Sequence, residues 1–139
     1  MGTGVDSTRP AFQRNAGGWF GSQLGCTLWM LILGLVLMSR DAVAAWVCVA
    51  GFALLNAWGF YLWRSRARLS AYAGIQWFLL VTSVVVAVAV LVVNIRGVSQ
   101  PPGPGAIVST YLPYWVIAVP PGLMLFFVFL ARTVKRGRE

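Results

Sequence analysis

Apolar residues in this chain fall in four long blocks, with neither the alternation of a half-buried strand nor the single stripe of a soluble helix. The blocks run approximately Trp19–Met38, Ala42–Trp63, Ala71–Val93 and Tyr111–Ala131, and none contains Asp, Glu, Lys or Arg. A helix needs roughly 20 such residues to cover about 30 Å of hydrocarbon. In lipid a helix also satisfies all its own backbone polar groups, which open strands cannot do. The pattern therefore predicts an all-α, four-helix transmembrane bundle. Composition agrees: 59% of residues are hydrophobic and 10% charged, and the mean hydropathy is +0.77.

The connections set the expected organisation. Residues 1–16 are polar and lack an apolar period, which reads as a disordered cytoplasmic arm. Residues 17–132 form the membrane domain, and 133–139 a basic tail. Ser39-Arg40-Asp41 and the stretch from Arg64 to Ser70 are short, so the spans should pair as two antiparallel hairpins. The second outer connection, about 94–110, is longer and contains Pro101, Pro102, Gly103, Pro104 and Gly105. Prolines fix φ and remove donors, so this stretch is expected to be an irregular solvated spacer or a loop that contacts a partner.

Charge adds orientation. Of the 11 cations, Arg9, Arg14, Arg64, Arg66, Arg68, Arg132, Lys135, Arg136 and Arg138 share one side if every span crosses. Arg40 and Arg96 lie opposite. Basic flanks resist translocation, which places both termini in the cytoplasm. The net charge of +8 then reflects topology and attraction to anionic lipid head groups, and calls for no nucleic acid. Arg9, Arg14, the run Leu28–Met38 and the triplet Ala42-Val43-Ala44 imitate a signal peptide. Cleavage there would start a mature chain inside the next span, so the segment is read as a retained helix. The aromatic residues mark two interfaces: Trp19, Tyr61, Trp63, Tyr72 and Trp77 at the inner level, and Trp46, Tyr111, Tyr114 and Trp115 at the outer one.

Candidate chemistry is sparse. Gly17, Gly21 and Gly25 recur every four residues beside Gly18, Ser22 and Cys26, a shallow face over which another backbone can approach. It is expected to pack against span two or four, or alternatively to form a homo-oligomer seam. Pro120 and Pro121 predict a kink within span four. Gln23, Asn56 and Gln76 fall in the cytoplasmic thirds of their spans, where an unpaired amide is costly. They are expected to serve as interhelical glue, or to line a small polar pocket roofed by Trp29.

The missing residue types exclude more than the present ones imply. The chain has no His, and its 3 acids are Asp6, Asp41 and Glu139. Haem, zinc and copper sites lack their usual ligands, so no cofactor or metal is expected. Proton-coupled transport lacks an intramembrane carboxylate, and paired-carboxylate catalysis lacks its pair. Cys26 and Cys48 differ in depth by roughly 10 Å at about 1.5 Å per residue, so they should remain reduced thiols. Arg40 and Asp41 could pair at the surface, though such exposed pairs contribute little. Arginine-rich, Ala/Val/Gly-rich usage hints at a bacterial cytoplasmic membrane. The leading expectation is a non-catalytic accessory or assembly subunit acting through helix contacts with a membrane-protein partner or another copy. The alternative is a passive channel or carrier for a small neutral or weakly polar solute, using the polar pocket.

Overall fold

The computed structural model describes residues 15–97 and 114–136. Among them are four helices, each long and apolar enough to cross a membrane, and no strand. The first, α1, spans Ala16–Leu37. It starts before the hydropathy block because Asn15 caps it: the Asn15 side chain accepts the Gly17 N–H at 3.0 Å. The expected polar arm thus gives up its last two residues to the helix and its cap, and residues 1–14 lie outside the described residues.

A tight turn follows, in which Arg40 and Asp41 N–H groups both donate to Leu37 O at 2.9 Å. Asp41 then caps α2, Ala42–Arg64, by accepting the Ala44 N–H at 2.8 Å. A 3₁₀ turn at Ser65–Ala67 leads to α3, Ala71–Ile95, capped by Ser70. The α3 helix runs past the expected edge near Val93 and stops at Gly97, whose φ of 62° is the left-handed geometry that ends helices. The Pro/Gly stretch lies outside the described residues.

The last stretch changes its winding along its length. Tyr114–Ala118 form a 3₁₀ turn, and α4 begins at Val119 and extends to Arg136. Pro120 and Pro121, where a kink is expected, therefore sit in the first α-helical turn, at the change from 3₁₀ to α winding within the continuous helical stretch Tyr114–Thr133. Proline has no N–H to give, and the first turn is where none is required, so the α-helix starts there.

The helices pack in series: α1 on α2, α2 on α3, α3 on α4. Contacting residues of α1 and α2 run in opposite order along the chain. Trp19 meets Gly59, Gln23 meets Asn56, Met30 meets Gly51, and Gly34 meets Ala45 and Cys48. The core is built on Met30, Leu37, Ala44, Ala45, Cys48, Leu55, Ala89 and Val93. Three glycines let these backbones close together. A Cβ on Gly34 would stand 3.0 Å from the Ala45 carbonyl, and one on Gly51 would strike Met30 and Val85. On Gly59 it would collide with the Gln23 side chain. In lipid such close approach replaces the hydrophobic drive that water supplies.

By contrast, among the described residues the Gly17/Gly21/Gly25 face packs on no helix. A Cβ at Gly21 or Gly25 would meet nothing within 4 Å, and at Gly17 only the Asn15 cap. Spacing of four made that face smooth, but α2 approaches along the side that carries Gln23, Thr27, Met30 and Gly34. The fourth helix is the least enclosed, with Pro120 its one buried described side chain. Finally, Asp41 pairs with Arg96 and not with its neighbour Arg40: Arg96 Nε donates to Asp41 Oδ2 at 2.6 Å. Arg40 is held in the turn by its N–H to Leu37 O, whereas the end of α3 brings Arg96 to the level of Asp41.

Candidate functional site

The amides at depth have separate fates. Gln23, 4% exposed, reaches from α1 to α2, where its Nε2 donates to both Asn56 O and Asn56 Oδ1 at 3.0 Å. Asn56 Nδ2 donates in turn to Thr27 Oγ1 at 3.1 Å and to Phe52 O at 2.8 Å. Thr27, fully buried, donates to Gln23 O at 2.9 Å. A closed α1–α2 network results, with Thr27 as a member that sequence reasoning passed over. Hydroxyls that bond to the preceding turn give no signal in a hydropathy pattern. Gln23 Oε1 remains a buried acceptor without a hydrogen-bond partner, and its amide lies against the bare backbone of Gly59.

Gln76 does not join this network. Its Nε2 donates to Met124 O at 3.3 Å, a tether from α3 to α4. Trp29 does not roof a pocket either, since its Nε1 donates to Cys26 O on the turn below at 2.9 Å. Of the four residues expected to converge, the structure brings together Gln23 and Asn56.

A cleft of about 440 Å³ opens beside them, between the N-terminal half of α1, the start of α3, and α4. One wall is the small-residue side of α1: Gly18, Ser22 and Cys26, with Gln23 behind. The floor is Ala71, Ile75, Phe78 and Leu79 of α3, and the far wall Leu123 and Phe127 of α4. Asn15 and Trp19 stand towards the α1 N-terminus. Asn56, Gln76 and Trp29 are not among the lining residues. Ser22 Oγ is already occupied, donating to Gly18 O at 2.7 Å. The cleft is therefore an apolar slot with polar groups near one end, not a polar pocket.

An aromatic cluster braces that end. Trp19 Nε1 donates to Gly59 O at 3.2 Å, and its ring lies 6.3 Å from Trp63 and 6.2 Å from Phe78. Phe20 lies 5.4 Å from Trp63, over whose other neighbourhood the Arg66 guanidinium sits at 4.9 Å. At the opposite end, the Ala44 N–H is the largest influence on the Asp41 carboxyl and lowers its pKa. Desolvation, the next largest, opposes it, and Arg96 and the Val43 N–H add to the lowering, so the group lies below its ordinary value. Cys26 is an exposed free thiol on the cleft wall, and Cys48 a buried one in the core. No group of three or more His, Cys, Asp or Glu that could hold a metal ion occurs among the described residues.

No family model matches this chain, and neither a curated protein nor a solved structure matches it. The site is therefore read from its own geometry.

Proposed function

We infer that this is a multi-pass protein of a bacterial cytoplasmic membrane, arranged as two antiparallel hairpins with both termini inside, and that it acts as a non-catalytic accessory or assembly subunit. The observation that carries the reading is the uncovered surface of α1. A Cβ at Gly21 or Gly25 would meet nothing within 4 Å among the described residues, while α2 and α3 bury small residues such as Ala44, Ala45 and Ala89 in the core. In lipid, an unfilled flat helix face is where another helix gains the most dispersion contact. The partner is another membrane protein or a second copy of this chain. Anionic head groups surround the basic inner end.

The test is recovery of the chain at native expression in a mild detergent. The expected result is a complex of stable stoichiometry that is lost in Gly21→Leu, while the melting temperature of the isolated chain stays where it was. A chain that comes out alone and monomeric sinks the reading.

The passive channel or carrier has less support. Its amides are divided between an α1–α2 network and an α3–α4 tether, and the available cleft has apolar walls. Liposome flux of small neutral solutes that responds to Asn56→Leu or Gln76→Leu would restore it.

A further inference from the structure

The geometry points to a specific lipid site: the cleft between α1, α3 and α4 holds one acyl chain of an anionic glycerophospholipid, whose phosphate meets the arginines at the cleft's open end. The inference rests on the membrane reading, but not on any protein partner.

Volume and lining fit one flexible apolar chain. Ligand pockets run from roughly 300 to 1,000 Å³, and this cleft has about 440 Å³. Its floor and far wall are Ile75, Phe78, Leu79, Leu123 and Phe127. Its near wall is kept low by Gly18, where a Cβ would meet nothing within 4 Å, and by Ser22 and Cys26. Larger residues there would close the slot, so the small series on this side of α1 has a use besides helix contact. Ser22 turns its hydroxyl back onto Gly18 O, which leaves its methylene side to the chain.

Polarity rises towards one end only. Asn15 and Trp19 border the cleft near the start of α1. Arg68 comes just before Ala71, where the floor begins, and Arg132 lies roughly a turn and a half beyond Phe127. Arg64 and Arg66 share that level, and Arg66 is braced on Trp63. The one acid among the described residues, Asp41, is at the other end and already paired with Arg96. Four arginines at one level of the helices, with no acid among the described residues of that end, suit a phosphate, which arginine binds bidentately. A zwitterionic head group would bring its own cation to the same level. A partner helix would fill the apolar slot equally well, but it would leave the charge unused.

Native mass spectrometry of the full chain in detergent, with added dioleoyl phosphatidylglycerol or dioleoyl phosphatidylcholine, tests this. The expected result is one phosphatidylglycerol retained at collision energies that strip phosphatidylcholine. Cys26→Trp, which grows into the slot, should abolish retention of both lipids. Gly122→Leu, on α4 where a Cβ meets nothing within 4 Å, should leave it intact. Arg68→Gln and Arg132→Gln keep the slot and should each weaken phosphatidylglycerol retention about fivefold, with no change for phosphatidylcholine. Equal retention of the two lipids by the native chain overturns the inference. So does retention in Cys26→Trp equal to the native chain, or a Cys26→Trp chain that loses a protein partner but keeps its lipid. A chain that stays folded in buffer without detergent would instead remove the membrane reading itself.

Discussion

Gly34, Gly51 and Gly59 carry the close contacts of the bundle, and Gly17, Gly21 and Gly25 do not. The difference is one of neighbours and not of spacing, so it sets up a direct comparison. Leucine at Gly34 would have to displace the Ala45 carbonyl as well as Val49. Backbone does not yield easily, and overpacking of this kind costs about 1–3 kcal/mol. Gly34→Leu is thus expected to lower the melting temperature in detergent clearly, and Gly21→Leu to change stability by less than about 0.5 kcal/mol. Equal losses in the two variants would show that the exposed face of α1 is packed after all. The same residues show what a pattern conveys. A four-residue glycine repeat announces a smooth face, but which smooth face is used depends on the partner surface. Gln23 and Asn56 were legible because an amide in hydrocarbon has few ways to be satisfied. Thr27 was not, because its hydroxyl bonds locally in any helix.

At the scale of the elements, the first three spans were legible to within a few residues and the fourth only in its existence, since lipid imposes both length and the exclusion of charge. What escaped the pattern were capping events. Asn15 started α1 early, α3 ran on to Ile95 before Gly97 ended it, and the proline pair marks a change from 3₁₀ to α winding. The clasp between α2 and α3 also escaped, because Asp41 and Arg96 lie far apart in the chain. That clasp has a pH signature. The Asp41 carboxyl is held below its ordinary value of 3.8, first by the Ala44 N–H. A group whose pKa is depressed on folding lends its stability above the unfolded value and loses it as pH falls through the folded one. Melting temperature in detergent is therefore expected to be level near neutrality and to fall below about pH 4, with Asp41→Asn lower at neutral pH and flatter in acid. A native chain whose melting does not change between pH 6 and pH 3 would exclude a contribution from the clasp.

For the whole molecule, the serial packing order leaves an open assembly. The α1–α2–α3 unit shares the described core, and α4 meets it chiefly along α3 through the Gln76 tether and the 3₁₀ turn before it. Most of the described α4 surface, including Leu125, Phe126 and Phe129, is exposed. Topology is the property that every function above presumes. Single cysteines placed near Ser7 and Arg138 in a chain lacking Cys26 and Cys48 should both resist a membrane-impermeant maleimide in intact cells and react after lysis. Labelling of one end before lysis would contradict the nine-to-two distribution of cations as a guide to orientation.

The bridge between Asp41 and Arg96 also bears on the order in which the protein is made. Both members belong to the first 97 residues, so a nascent chain can finish and lock its three-helix unit before the ribosome has released the fourth span. The last helix then arrives at a completed template, late and with little buried surface to gain.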